Sequence, residues 1–120
     1  YSAKSSESAK PLSLLQQDDQ SKESETVLLD ISTGEAEGEL VEDYVCLGEQ
    51  GDVCANTGLV QMTRMTEKPF AAFQFDGILG VGMPQGSLDK KFNFMANLAE
   101  MGALKRDRMS VWMANENDSE

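Results

Sequence analysis

The chain has 120 residues, with 21 acidic against 10 basic side chains, no histidine and a formal net charge of −11. That length allows one modest domain or part of a larger one, and that charge opposes nucleic-acid binding, which needs Lys and Arg to neutralise phosphates. No uninterrupted run of roughly 18 apolar residues is present, so a soluble body without direct membrane insertion is expected. The acidity is uneven: residues 1–55 hold 13 acids and 3 bases, whereas residues 56–120 hold 8 acids and 7 bases. The short Lys105, Arg106, Arg108 cluster does not reverse this balance.

Residues 1–25 are rich in Ser, Lys, Glu, Gln and Asp and read as a polar surface or flexible segment, because they offer little apolar area against the entropy of ordering. Leu12, Leu14 and Leu15 form an apolar island suited to docking a short strand or turn. From Thr26 the character changes. Val27 to Leu29 begin a strand, Ser32-Thr33-Gly34 supplies a turn, and residues 39–47 alternate imperfectly between polar and apolar. A further strand is expected over Leu59 to Met65, with the Gly-, Asp- and Asn-containing stretch from Gly48 to Asn56 as the connection of an antiparallel hairpin.

Further along, Phe70, Phe73 and Phe75 lead into Ile78, Leu79 and Val81 with Gly77, Gly80 and Gly82 interspersed. Dense aromatic and branched residues predict a buried core strand here, and the glycines predict tight turning or close backbone packing. Pro84 to Ser87 read as a turn. The principal helix is predicted over Leu88 to Met101: Phe92, Met95, Leu98 and Met101, with Ala99, make an apolar face, Ser87 caps the start with help from Asp89, and Gly102 ends it. Met109, Val111 and Met113 alternate with Ser110, Trp112 and Ala114 as in a strand. Residues 115–120 form a polar terminal segment. Trp112 is expected at a core or interface position, and the phenylalanines and methionines mostly in the core. The fold class is therefore mainly β, with hairpins and one principal helix.

Cys46 and Cys54 stand eight positions apart across the predicted hairpin. A disulfide is one reading, provided that the strands bring the Cβ atoms to about 3.5 to 4.5 Å; two free thiols are the other. A bridge would favour a secretory, lumenal or extracellular compartment. With no histidine and no further cysteine, the pair cannot form an ordinary four-ligand zinc site. Glu35, Glu37, Glu39, Glu42 and Asp43 lie along an expected hairpin with no EF-hand arrangement, and read as a solvated face or protein contact, with calcium the minor alternative. Neither a metal nor another cofactor is expected.

The run Phe75-Asp76-Gly77-Ile78-Leu79-Gly80-Val81-Gly82 resembles the Phe-Asp-Gly-Ile-Leu-Gly element of the pepsin-like aspartic proteases. The likeness extends to Lys4-Ser5-Ser6-Glu7-Ser8, similar to the family's Ser-rich segment after its first catalytic loop, and to Ile31-Ser32-Thr33-Gly34 followed by Gly38, similar to its flap hairpin. Phe92 to Gly102 and Leu104 to Met113 resemble the helix, connection and strand that follow in the first lobe. The resemblance implies a partial lobe over residues 26–114 of a two-lobed protein whose cleft binds peptide, with one catalytic aspartate contributed by each lobe. The paired carboxylates hold a water and share a proton, providing base and acid for peptide hydrolysis.

Neither Asp-Thr-Gly nor Asp-Ser-Gly occurs in this chain. Asp76 sits in a structural element of the resemblance, and the spacing from Asp30 to Gly34 is wrong for the catalytic triplet, so neither is assigned as catalytic. The flap also departs from the family's usual Tyr-Gly-Thr-Gly: Ile31 offers apolar contact but no hydroxyl, and Ser32 replaces a conformationally permissive glycine. The leading expectation is a segment of an aspartic endopeptidase, noncatalytic in isolation, whose partners are the remaining parts of a two-lobed protease or another protein chain. The alternative is a protease-derived pseudoenzyme serving as a structural subunit or peptide-binding scaffold.

Overall fold

The computed structural model describes residues 1–14, 24–31, 33–48, 51, 53–106 and 108–113. Its sheet has four strands, β1 (Lys10–Pro11), β2 (Thr26–Ile31), β3 (Gly34–Leu47) and β4 (Val53–Met65), followed by one helix, α1 (Phe94–Glu100). Every pairing is antiparallel and every pairing involves β3. Its first half pairs with β2, from Ile31 opposite Gly34 to Thr26 opposite Glu39, and its second half takes β1 at Val41 and Glu42 on the side where β2 has ended. The opposite edge of β3 carries β4 along almost its whole length.

The join between β1 and β2 is closed by backbone hydrogen bonds. Leu12 N–H donates to the Leu40 carbonyl at 3.0 Å, Leu40 N–H to Glu25 at 2.8 Å, and Glu25 N–H to Leu12 at 3.0 Å. These bonds leave the polar groups satisfied where Leu12 and Leu40 are buried. Along β3, burial falls on even positions from Gly34 to Leu40 and then on odd positions at Val41 and Asp43. Leu40 and Val41 are both buried, so the strand is covered on both faces at the join.

β3 and β4 form the expected hairpin, but β4 starts at Val53, so Val53 to Asn56, expected in the connection, belong to the strand, with Leu47 opposite Val53 and Cys46 opposite Cys54. The two cysteines are disulfide-bonded across the ladder, with Cα atoms 4.0 Å apart. A register shift lies between Glu37, opposite Arg64, and Gly38, opposite Met62. The extra residue, Thr63, donates its hydroxyl to the Glu37 carbonyl at 3.2 Å. This bulge ends the strict two-face alternation expected for Leu59 to Met65. Gly38 is required beside it, since a Cβ there would lie 2.6 Å from Val60 Cγ1 and 2.8 Å from the Gln61 carbonyl oxygen.

The helix is shorter than the sequence periodicity predicts. Lys90–Phe92 form a 3-10 turn capped by Asp89, which accepts from Lys91 N–H at 2.9 Å. Asn93 then takes an extended backbone and caps α1 by accepting from Ala96 N–H at 2.8 Å. A buried cap inside the apolar repeat thus divides the predicted helix in two. Ser87 does not cap the helix; its Oγ accepts from Asn93 Nδ2 at 3.2 Å, and the same amide donates to the Gly82 carbonyl at 3.0 Å. Gly102, with φ +65°, ends the helix as expected, and Ala103 N–H donates to the Leu98 carbonyl at 3.1 Å.

α1 buries Phe94 and Leu98 against Ala55 of β4, flanked by Val45, Val53, Met95, Ala103 and Leu104. Met101, predicted on the apolar face, is exposed. Polar contacts align the helix on the strand: Asn97 Nδ2 donates to Thr57 Oγ1 at 2.9 Å and to the Lys91 carbonyl at 2.7 Å, which also accepts from Thr57 Oγ1 at 2.9 Å. Phe92 covers Gly58, where a Cβ would stand 2.9 Å from its ring.

Two predicted strands do not form. Phe75 to Val81 is an irregular exposed stretch, and Met109 to Met113 has no strand pairing. Trp112 is 77% exposed and Met113 82%, against the expectation of core or interface burial, and Met65, Met83, Met101 and Met109 are exposed as well. Gly77, Gly80 and Gly82 have open space where a Cβ would be, so neither tight packing nor unusual backbone angles explain them here. Neither segment joins the sheet: among the described residues every pairing is made with β3, and the outer edges of β1, β2 and β4 take no strand from either segment.

The first eight residues are tied to β3 through Asp43. This buried carboxylate accepts from Tyr1 Oη at 2.7 Å, from Ser8 Oγ, and from Tyr44 N–H at 2.8 Å. Ala3 N–H donates to Gln61 Oε1 at 2.7 Å, anchoring the same segment to β4. Burial alone would raise the Asp43 pKa, but the hydroxyls of Ser8, Tyr1 and Ser6 and the Tyr44 amide outweigh it and hold the group down at about 2. Loss of water around the Tyr1 hydroxyl, together with the hydrogen bond and charge of Asp43, pushes that phenol up to about 12.

Two outcomes test this packing. Leu98→Ala should cost about 2 to 5 kcal/mol in denaturant unfolding, because Leu98 is fully buried beside Phe94 in the small cluster that joins α1 to β4. Asp43→Asn removes an acceptor from the hydroxyl cluster and should cost about 1 to 3 kcal/mol near neutral pH. Since the folded pKa of Asp43 lies below its unfolded value, its contribution is fully present above about pH 4 and fades as pH falls towards 2. The stability gap between wild type and Asp43→Asn should therefore shrink over that window in unfolding titrations.

Candidate functional site

The β2–β3 hairpin places its tip at Ile31 to Gly34, with Ile31 partly buried, Thr33 exposed and Gly34 buried. Ser32, the other residue of the flap-like quartet, lies outside the described residues. The hairpin tip meets the segment that leaves β4. A Cβ on Gly34 would approach Pro69 Cδ to 2.5 Å, Phe70 Cε2 to 2.8 Å and Thr66 Oγ1 to 2.9 Å, so only glycine admits this contact without displacement. Thr66 continues the ladder, its N–H donating to the Glu35 carbonyl at 3.0 Å while its Oγ1 accepts from Glu35 N–H at 3.2 Å.

From this junction an aromatic row runs outward. Phe70 and Phe73 meet edge to face with centroids 5.9 Å apart, and Phe73 stacks on Phe75 at 4.7 Å with planes 22° apart. Phe75, Asp76, Gly77, Ile78, Leu79 and Gly80 follow on the surface. Gly80 and Gly82, with Met83, Gly86, Ser87, Phe92 and Asn93, line an open groove of about 400 Å³. The Phe-Asp-Gly element and the flap-like hairpin are thus linked through Phe70, which touches Gly34 at one end of the row.

Three aspartates bear on the chemistry. Asp30 is exposed on β2 opposite Glu35, and Asp76 is exposed in the irregular stretch. Asp43 is the buried carboxylate among the described residues, and its oxygens face hydroxyls and an amide instead of a second carboxyl group. None has the shared-proton arrangement that the two-carboxylate mechanism needs.

The acidic run separates in the same way. Glu35 and Glu39 are exposed and Glu37 partly so, as alternation predicts, with Arg64 paired to Glu37 at 2.7 Å. Asp43 departs from the expected solvated face by turning inward. Glu42 accepts from Asn56 Nδ2 at 2.7 Å and lies 3.7 Å from Lys91 Nζ. Among the described residues, no group of three or more acidic or sulfur side chains is placed to hold a metal ion. No helix among them is long and apolar enough to cross a membrane.

Sequence reasoning missed Asp43, Thr66 and Asn93. The signal for Asp43 was available as an acid in a strand preceded by a hydroxyl-rich segment, whereas the contacts of Thr66 and Asn93 depend on where the chain turns.

The model of the family described as eukaryotic aspartyl protease matches residues 16–120. An aspartic proteinase of Oryza sativa subsp. japonica is 30% identical over 95 residues, which are 79% of this chain and 19% of the rice protein. The chain therefore spans about a fifth of the length of that curated relative. A mainly antiparallel sheet with a helix packed behind its long hairpin agrees with this likeness, and the chain belongs to the eukaryotic aspartyl protease family.

Proposed function

We propose that the chain is the first-lobe segment of a pepsin-like aspartic endopeptidase, noncatalytic in isolation, and that the hairpin tip from Ile31 to Gly34 serves as its flap. The observation that carries this reading is the seating of that tip against Phe70, at the head of the aromatic row leading into Phe75-Asp76-Gly77. It gives one apolar margin for an extended peptide, while no carboxylate in the described segment has a carboxylate partner for proton sharing. Residues 26–114 form the body of the lobe, with residues 1–11 strapped onto it through Asp43, Gln61 and the β1 pairing.

The complementary parts of a two-lobed protease are the natural partners. Ile78, Val81, Met83, Val111, Trp112 and Met113 are exposed apolar groups that such parts would cover. The Cys46–Cys54 bridge is compatible with a secretory or extracellular location. Ile31 favours a second reading, a protease-derived scaffold, because it cannot offer the hydroxyl that the family's usual flap tyrosine brings.

Acidic-pH cleavage of an unfolded protein separates these readings. The 120-residue chain should give no turnover. The protein that contains it should cleave, and replacing either aspartate of its two catalytic triplets should cost on the order of 10² to 10⁴-fold, the range of general acid–base catalysis. A parent with both triplets intact and no aspartate-dependent turnover would establish the scaffold instead.

A further inference from the structure

We infer that Thr66 is a positioning residue, a latch that holds the tip end of the flap-like hairpin against the chain leaving β4; its bearing on substrate rests on the flap reading above. The inference starts from the bulge. Beyond Thr63 the β3–β4 ladder retains only Glu37 opposite Arg64 and Ala36 opposite Met65 before β4 ends. At the next position Thr66 supplies both halves of the connection. Its N–H donates to the Glu35 carbonyl at 3.0 Å, and its hydroxyl accepts from Glu35 N–H at 3.2 Å. A side-chain oxygen thus does the work of a backbone carbonyl where the strand has turned away.

The same hydroxyl donates to the Lys68 carbonyl at 2.8 Å. That second bond fixes the turn which brings Pro69 and Phe70 over Gly34. One hydroxyl, accepting from the hairpin and donating to the covering turn, therefore couples the two. Valine at this position keeps the branched shape and the backbone bond but loses both hydroxyl contacts; serine keeps the hydroxyl. Gly34 gives a second route to the same state. It has no left-handed backbone angle, so alanine would act by pushing on Pro69 Cδ, 2.5 Å from the new Cβ, on Phe70, and on the Thr66 hydroxyl itself at 2.9 Å.

Hydrogen exchange in the intact protein tests the latch without needing catalysis. Thr66→Val should speed exchange of the Glu35 amide about tenfold, the factor expected for loss of one net hydrogen bond, with Thr66→Ser close to wild type. Gly34→Ala should speed the same amide. Exchange unchanged in Thr66→Val, or equally raised in Thr66→Ser, would overturn the latch. Peptide kinetics on the same variants test its bearing on substrate separately: KM should rise severalfold in Thr66→Val and recover in Thr66→Ser, with kcat held. Faster exchange with an unmoved KM would overturn the flap role and leave the latch standing.

Discussion

The structure depends on one strand serving every ladder at once. β3 is long enough to offer β2 and then β1 on one edge while carrying β4 on the other. Its backbone groups are thereby committed over most of its length, and so are the positions of everything attached to it. The hairpin tip, the disulfide end and the Asp43 strap are three stations along this strand. Its two burial patterns, even before Leu40 and odd after Val41, record the change of partner at the join.

Much of this was legible in the sequence. Val27 to Leu29, the Thr33-Gly34 turn, the glycines after Leu47 and the opposed cysteines specify two consecutive hairpins by local chemistry, and both form, with β3 and β4 starting earlier than the alternation alone predicts. Gly102 likewise ends its helix because a positive φ suits glycine. The legible part of the candidate site was the hairpin and its Ile31. What could not be read was tertiary. Asp43 looks like one more acid in an acidic run until Tyr1 and Ser8 are brought to it from 35 or more positions away. Asn93 interrupts a sound helical repeat because a buried amide there can bond both its own helix and the Gly82 loop.

Phe75 to Val81 and Met109 to Met113 teach a different lesson. Their composition is that of buried strands, yet composition states only what a segment would gain by burial and does not say which surface or strand edge covers it. Within the family, the sequence character of these segments and their exposure here fit together if complementary parts of the lobe complete the sheet. Local consistency in the first two hairpins and unmet apolar demand in the later segments are then two aspects of one incomplete unit.

Covalent footprinting with hydroxyl radicals addresses that claim most directly, since Trp112, Met113 and Met83 are reactive side chains and among the most exposed of the large apolar groups. In the 120-residue chain all three should label readily, and in the protein that contains it they should be strongly protected while Tyr44 remains labelled in both. Equal labelling of Trp112 and the two methionines in the chain and in its parent would contradict the account.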